Sequence, residues 1–345
     1  MQSLFNKFLK RFFSNEESVY FAILLVFSFL FVIFFGNVLL PVIISIVIAF
    51  LLNGLMTTLI KINMSQRLSL LLTLIVFFGC YFSLFLALPS IGTEINNLLQ
   101  NLPSIVSSFQ QTLVEMNNYF SEEDLDLIFA NLSNQINTLL SSALGQLAGT
   151  ISLMFNAILY AIMIPLMVFF FLKDKKELLP IASFVLPKEN GFMQSVFSEM
   201  NDQLFNYVTG KFLEMIIVAS ASYALFALLG LPYAVLTAIL VGLSVIIPIF
   251  GAILVTIPVV LIGLYEWGIT ENFYWLLGLY LLIQILDGNV LVPILFSTRN
   301  NLHPAVIIIA ILFFGGIWGF WGLFFAIPLA TFIKAIINSW PEPIN

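Results

Sequence analysis

The chain has 345 residues, of which 61% are hydrophobic and only 9% are charged, and its mean hydropathy is +1.08. A water-soluble domain carries about 25% charged residues, so this composition excludes a soluble enzyme, a disordered protein and a nucleic-acid-binding protein. It predicts an all-α membrane protein with several spans. The single cysteine, Cys80, excludes an intramolecular disulfide, and the single histidine, His303, excludes a histidine-rich metal site. We expect no metal and no cofactor.

Hydrophobic stretches long enough for helical spans follow one another along the chain. The first runs from 19 to 35 after Lys7, Lys10 and Arg11, which also resembles a signal peptide. No small-residue cleavage site follows it, so we interpret it as an uncleaved span. The next predicted spans are Val38–Ile60, Leu68–Leu88, Ile151–Leu172 and Phe212–Leu229. With the C-terminal part of the chain, about eight hydrophobic segments are expected.

The distribution of charge predicts the orientation of these spans. With the N-terminus in the cytoplasm, the lysines and arginines around the first five spans all fall on the inner side. The outer segment from Ser90 to Thr150 then carries acids and no base. Because basic loops stay on the cytoplasmic side, we expect a protein of the bacterial cytoplasmic membrane with both termini inside. The pI near 4.8 then reflects an acidic outer domain.

Two polar segments have the pattern of amphipathic helices. In 90–150, apolar residues recur with the spacing of one helix face, and Ser121 and Asp124 form a capping signal for a second helix. This segment is either a lid packed on itself or on the membrane surface, or a solute vestibule or oligomer contact. The pattern of the segment from Phe192 to Tyr207 predicts an amphipathic helix that lies against the inner leaflet or another part of the protein, and a solvated linker is the alternative.

The C-terminal half consists of two similar parts of opposite direction. Each is a span followed by two short apolar stretches, broken at Pro248 and Gly251 in the first part and at a glycine cluster, 315–322, in the second. The stretches of the first part, about 14 residues each, are short for spans, which favours re-entrant hairpins over full pairs of spans. Two such parts predict an inverted repeat.

The predicted regions are 1–89 with three spans, 90–150 outside, 151–211 with the fourth span and cytoplasmic helix, and a core 212–338 with hairpins 212–266 and 272–338.

Asp287 is the strongest candidate for a functional side chain. It lies in the otherwise uncharged run 273–296, and an acid within a span points to function because its desolvation is costly. Its neighbours Gly288 and Asn289 suggest an unwound helix, where exposed carbonyls beside a carboxylate could hold a cation or proton, or bind a polyhydroxylated solute. The alternative is a helix cap. Gln284 lies one turn earlier on the same face.

Other candidates are less distinctive. Glu214, one turn into the fifth span, either contributes to the same substrate or ion site or pairs with Lys211 at the surface. Asn53 is a polar residue of the second span, and His303 is expected to be a cap or loop residue rather than a proton relay. Residues expected to shape the backbone at breaks and half-helix ends are Pro248, Gly251, Gly288, Pro293, Gly315, Gly316 and Gly319.

Catalytic and nucleotide-binding motifs are absent from the sequence. It contains no His-Glu-x-x-His, no Gly-x-Ser-x-Gly and no P-loop. We therefore expect a protein that is not an enzyme and that does not hydrolyse ATP to drive a pump. Any solute movement would depend on existing gradients.

Several C-terminal motifs resemble the autoinducer-2 exporter family of permeases. The motifs are Leu231-Pro-Tyr-Ala234, Ile247-Pro-Ile-Phe-Gly251, Asp287-Gly-Asn-Val-Leu-Val-Pro293, Leu302-His303-Pro304 and Ala326-Ile-Pro-Leu329. The layout of three spans, an outer polar domain and five further hydrophobic segments is similar too. Ile249 departs from the pattern, since relatives often have a polar or aromatic residue there.

The resemblance implies a gradient-driven exporter of a small polar solute, with autoinducer-2 and quorum sensing as the expected context. Other members of the family imply a sodium(lithium)/proton antiporter, and a non-transporting scaffold that holds partners through its outer helices is a third alternative. The two opposed hairpins suggest, as a hypothesis, an elevator-like motion of the repeat domain against the first spans in a homo-oligomer. The expected partners are the lipid bilayer, the solute, H⁺ or Na⁺ and further copies of the chain, without nucleic acid.

Overall fold

The computed structural model describes residues 16–116, 129–131, 134–135, 138, 150–184, 191–248, 250–296 and 302–339. Within these ranges all regular structure is helical, and six helices are long and apolar enough to cross a membrane. The predicted all-α membrane fold is confirmed. The helices are α1 (Glu16–Lys61), α2 (Gln66–Met116), α3 (Thr150–Lys173), α4 (Lys175–Phe184), α5 (Gly191–Leu229), α6 (Ala234–Ser244), α7 (Phe250–Trp267), α8 (Glu271–Leu286), α9 (Val292–Leu295) and α10 (Pro304–Ser339).

The first two predicted spans lie on one continuous helix, α1, and the break expected between them is wrong. Gly36 and Asn37 both have helical backbone, and Pro41 is accommodated within the helix. At 1.5 Å per residue, the 46 residues of α1 extend about 70 Å, more than twice the ~30 Å hydrocarbon core. The cytoplasmic location of both termini, which relied on a reversal at this point, stays a prediction.

Two other boundaries expected from polarity are also absent. α2 continues past Pro89, the expected end of the third span, and past Pro103 to Met116. α5 joins the predicted cytoplasmic helix to the fifth span without interruption. A change from apolar to polar side chains leaves the backbone hydrogen bonds of a helix intact, so polarity alone did not locate these ends. The predicted cap at Ser121 and Asp124 lies outside the described residues.

Backbone contacts divide the chain into two compact units. The first unit contains residues 1–80, 156–209 and 300–345, and the second contains 81–155 and 210–299. The second unit has a core of side chains from α5, α6, α7 and α8, in which Phe226, Val241, Leu276 and Tyr280 are completely buried. This core positions the charged groups described below. The division of the chain into four regions by composition stays a prediction.

Both breaks predicted in the C-terminal half are places where the chain reverses. In the second unit α6 ends at Ser244, and a Cβ on Gly251 in the first turn of α7 would overlap the Ser244 carbonyl oxygen. In the first unit Gly319 has φ 58°, which divides α10 into two helices, and a Cβ on Gly322 would overlap the Phe314 carbonyl oxygen. Residues seven or eight apart in one helix are separated by about 10 Å or more, so each contact requires a chain reversal.

The lengths of the helices in the second unit suit a broken hairpin. α6 has 11 residues, about 16 Å, which is too short to cross a bilayer, whereas the 18 residues of α7 match the hydrocarbon thickness. The turn between them is held by the Gly251 N–H, which donates to Ile247 O at 2.8 Å. The re-entrant insertion of this hairpin and the inverted repeat stay predictions.

Candidate functional site

The second unit buries an ion pair on α5. Lys211 and Glu214, one turn apart, are only 5% and 2% exposed. The Lys211 ammonium lies 2.8 Å from Glu214 Oε2 and donates a hydrogen bond of 2.8 Å to the carbonyl oxygen of Val245, at the C-terminal end of α6. The same ammonium lies 5.3 Å from the ring centroid of Phe296. A surface pair of Lys211 and Glu214 was one alternative from the sequence; in the structure this pair is buried.

Two glycines allow the neighbouring helices to approach this pair. A Cβ on Gly210 would lie 2.7 Å from Phe296 Cε1, so a larger residue would displace the ring from the lysine. A Cβ on Gly242 of α6 would lie 2.6 Å from the Ala219 side chain and 2.8 Å from Met215 O of α5. Small residues at helix contacts permit such close packing in membranes. The sequence thus encodes a tight enclosure for the charges.

Asp287 is the third charged group at this place. It begins a π-helical turn, Asp287–Leu291, between α8 and α9, and its Oδ1 is buried without a hydrogen-bond partner. Its charge interacts with both Lys211 and Glu214. The expected unwound helix is wrong, since the turn is widened and the Val292 N–H donates to Asp287 O. The carboxylate, rather than that carbonyl, is available to a ligand, and π-turns are frequent at functional sites.

The three charges do not cancel. Lys211 contributes one positive charge, and Glu214 and Asp287 each contribute one negative charge when ionised. An uncompensated charge within apolar helices is costly, so the cluster favours taking up one positive charge. A proton or a monovalent cation would make it neutral. Among the described residues, no group of three or more His, Cys, Asp and Glu side chains is placed to hold a metal ion.

A line of hydrogen bonds connects Gln284 and Tyr280 of α8 to Thr256 of α7. Gln284 Nε2 donates to the Tyr280 hydroxyl at 2.8 Å, and that hydroxyl lies 3.2 Å from Thr256 Oγ1 on α7. Thr256 in turn donates to Ala252 O at 2.7 Å. Tyr280, Gln284 and Asp287 follow the spacing i, i+4, i+7 and so lie on one face of the helix. The structure thus links Gln284, which the sequence singled out, to buried hydroxyls.

Three other predicted polar residues make local contacts. Asn289 is exposed, and its Nδ2 donates to a backbone carbonyl one turn earlier at 2.9 Å. Asn53 belongs to the first unit, where its Oδ1 accepts a hydrogen bond of 3.2 Å from Lys175 Nζ. His303 Nδ1 accepts a hydrogen bond from the Ala305 N–H at 3.2 Å, which is a capping arrangement at the start of α10. A ligand-binding role for Asn289 and Asn53 stays a prediction.

Four of the predicted hinge residues lie at the two reversals. Pro248 lies in the turn between α6 and α7, and Gly251 closes that turn. Gly319 supplies a positive φ that other residues rarely adopt. A Cβ on Gly315 would lie 2.6 Å from Leu323 Cδ2, across the second reversal. The backbone conformation of the two reversals therefore depends on these residues.

The remaining predicted hinge residues have no such geometric requirement. Gly288 and Gly316 have open space where a Cβ would lie. Pro293 occupies the first turn of α9, where the missing N–H of a proline is tolerated. Their role in motion stays a prediction.

Sequence reasoning missed three residues of the second unit. Tyr280 could have been found from its spacing to Asp287, but Thr256 has no local signal because its partner lies on another helix. Glu94 was seen only as one of the outer acids. Its Oε2 accepts a hydrogen bond of 2.7 Å from the Leu236 N–H in the first turn of α6. That contact provides a helix cap from a residue far away in the chain.

Long apolar helices, two glycine-closed reversals and a buried ion pair define an integral membrane protein, and its family is one of transporters. The family model described as AI-2E family transporter matches residues 21–342, and the chain belongs to this family. A protein of Escherichia coli (strain K12) named "Putative permease PerM" is 40% identical over 348 residues, covering 99% of this chain and 98% of the relative. "AI-2 transport protein TqsA" of Escherichia coli (strain K12) is 25% identical over 262 residues, 74% of each chain.

Proposed function

We propose that the protein is a gradient-driven secondary transporter of the bacterial cytoplasmic membrane that exports a small polar solute. The observation that carries the proposal is the buried ion pair of Lys211 and Glu214, with which the half-buried Asp287 interacts electrostatically. Charges persist inside a membrane protein when they serve a solute, ion or proton pathway. The cluster also lies beside the α6–α7 hairpin, since Lys211 is bonded to the end of α6.

Binding of one positive charge gives the cluster a physical role in coupling. With Asp287 free, the site carries a net negative charge, which is costly to move through an apolar environment. With a proton or monovalent cation bound, the site is neutral and that cost disappears. The site would therefore move through the apolar environment only after it has bound a cation. A cation gradient can drive transport in this way.

An autoinducer-2-like molecule is the proposed solute. The relative named "AI-2 transport protein TqsA" supports this choice. The chemistry of the site is compatible, because the Asp287 carboxylate and the Gln284 amide can accept hydrogen bonds from the hydroxyls of a polyhydroxylated solute. The proposal includes a homo-oligomer, a role in quorum sensing, and H⁺ or Na⁺ as the coupling partner.

Cation/proton antiport is the second candidate. It is favoured by one specific observation, namely that two carboxylates and one ammonium share the site and leave one negative charge to be compensated. In this mechanism the solute is itself the cation, and a proton and a sodium or lithium ion alternate at Asp287.

Transport by the purified protein in proteoliposomes distinguishes these functions. Autoinducer-2 flux and ²²Na⁺ flux are measured under imposed gradients, with Asp287→Asn as the test variant. The matched control is Glu266→Gln, which neutralises an exposed acid at the end of α7 in the same unit. The proposal expects autoinducer-2 flux that Asp287→Asn abolishes and Glu266→Gln preserves. Sodium flux alone would identify the antiporter, and unchanged flux in Asp287→Asn would remove this residue from the mechanism.

A further inference from the structure

The hydrogen bonds between α7 and α8 have a defined direction. Thr256 has a single hydroxyl proton, which it donates to Ala252 O at 2.7 Å. Across the 3.2 Å contact between the two hydroxyls, Tyr280 must therefore be the donor and Thr256 Oγ1 the acceptor. The Tyr280 oxygen is then free to accept, and it accepts from Gln284 Nε2 at 2.8 Å. Each hydroxyl in this line has one role as donor and one as acceptor.

This direction determines how the Gln284 amide is turned. An amide has its donor nitrogen and its acceptor oxygen on opposite sides of one carbon. Because Nε2 is directed to Tyr280, four residues earlier on α8, Oε1 lies on the other side of the amide carbon and does not face Tyr280. Asp287 Oδ1 is buried and has no hydrogen-bond partner. Gln284 and Asp287 lie one turn apart on α8, so an amide oxygen and an unsatisfied carboxylate oxygen belong to the same face of the helix.

We propose that Thr256 and Tyr280 are positioning residues, which hold Gln284 with its oxygen towards Asp287 so that the site binds a positive charge. The proposal rests on the proposed function, in which Asp287 belongs to the transport site. Na⁺ and a proton share the required chemistry, since both are stabilised by carboxylate and amide oxygens. The described charged groups that act on Asp287 are Lys211 and Glu214 of α5.

If the donors and acceptors of these hydrogen bonds were exchanged, the site would bind a cation more weakly. If Thr256 could not accept, the Tyr280 hydroxyl would donate to Gln284 instead, and the amide would turn to place Nε2 towards Asp287. An amide donor beside the carboxylate would satisfy it and compete with the cation. The isosteric change Thr256→Val removes the acceptor and so turns the Gln284 amide. Tyr280→Phe removes the hydroxyl, so neither orientation of this amide is favoured. Thr256→Ser retains a hydroxyl and with it the original direction.

The test measures apparent cation affinity with purified full-length protein. Na⁺ affinity is measured by isothermal titration calorimetry, with choline as the inert cation in the control titration. Proton affinity is measured from the pH dependence of thermal stability in the absence of Na⁺. Thr256→Val is expected to weaken the affinity for the ion that binds by about tenfold, the scale of one hydrogen bond to a charged group. Tyr280→Phe should weaken it less, and Thr256→Ser should retain it. Tyr274→Phe, an exposed tyrosine on the same helix, is the matched control.

The ranking of the variants separates positioning from packing. If the line were only structural, Tyr280→Phe would lower the unfolding temperature and no variant would change cation affinity, and this result would overturn the proposal. Loss of binding in Asp287→Asn with unchanged binding in Thr256→Val would reject the positioning role and leave the proposed function intact. Equal responses of wild type and Asp287→Asn to both Na⁺ and pH would reject the two proposals together.

Discussion

Both compact units bury hydroxyl side chains, but among the described residues only the second unit also buries charged ones. In the first unit the hydroxyls of Ser45 and Thr73 are buried, and each donates to a carbonyl oxygen one turn earlier in its own helix. In the second unit the buried groups include the charged side chains of Lys211 and Glu214. A hydroxyl satisfies itself within a helix at little cost, but a charge needs partners from other elements. Burial of a polar group thus suggests function only when its own helix cannot satisfy it.

The largest effect is expected from breaking the ion pair. Lys211→Met removes the positive charge and leaves the buried Glu214 and the half-buried Asp287 as two carboxylates without compensation. Loss of one partner of a buried pair costs about 3–5 kcal/mol. Chemical unfolding in mixed micelles should show this loss. Lys175→Met, which removes an exposed lysine in the first unit, is the control, and equal stability of the two variants would contradict the comparison.

The two units agree in their glycine-closed reversals, which makes a second test possible. Gly251→Ala in the second unit and Gly322→Ala in the first would each place a Cβ on a backbone carbonyl. Each change should cost about 1–3 kcal/mol or more of unfolding free energy, because backbone cannot yield as a side chain can. Gly278→Ala and Gly316→Ala, which meet open space, are the controls and should be neutral or slightly stabilising. Similar losses in all four variants would reject the tight reversals.

A smaller effect is expected at Glu94, whose carboxylate is satisfied by the start of another helix. Glu94→Leu removes the acceptor of the Leu236 N–H and a negative charge from the N-terminal end of α6. We expect a loss of about 1–2 kcal/mol and faster hydrogen exchange in the first turn of α6. Glu94→Gln keeps an acceptor oxygen and should retain most of the protection. Unchanged exchange in Glu94→Leu would show that this cap is unimportant.

For Asp287 the expected effect on stability has the opposite sign. Asp287→Asn removes the charge that leaves the cluster negative, so the unfolding free energy should be unchanged or higher by about 1 kcal/mol. Functional residues often lower stability in this way. The measurement is the same unfolding titration as for Lys211→Met. A loss of several kcal/mol in Asp287→Asn would mean that this carboxylate is a structural group.

The smallest effect is expected from the hydroxyls of the first unit. Ser45→Ala removes a hydroxyl that donates to Pro41 O at 2.6 Å and has Ile164 O as a more distant acceptor at 3.3 Å. Because the carbonyls belong to helices and keep their backbone partners, the cost should be about 0.5–1 kcal/mol. Thermal unfolding should place this variant close to wild type. A loss as large as that of Lys211→Met would remove the distinction between hydroxyls and charges.

Local sequence signals predicted the features that depend on nearby residues. The reversals at Gly251 and Gly319 follow from the backbone preferences of glycine and proline, and Asp287 stood out as the acid of an apolar run. The burial of Lys211 was not predictable, because it depends on Phe296 and on the end of α6, which are distant in sequence.

Long-range partners and small changes of helix geometry set the limit of such predictions. Glu94 and Leu236 are separated by 142 positions, and neither residue identifies the other. The π-turn at Asp287 differs from an α-helix by one extra residue per turn, which the motif Asp-Gly-Asn does not specify. The continuity of α1 was missed because Gly36 and Asn37 weaken a helix without ending it.

The unbroken course of α1 has a consequence for the compartments that the two ends of the protein face. Each membrane crossing exchanges inside for outside, so the parity of the number of crossings decides where the chain ends. If α1 crosses the membrane once instead of twice, every segment after Lys61 lies on the opposite side, relative to the N-terminus, from the side expected. The acids that follow, Glu94 among them, would then face the compartment that holds the N-terminus.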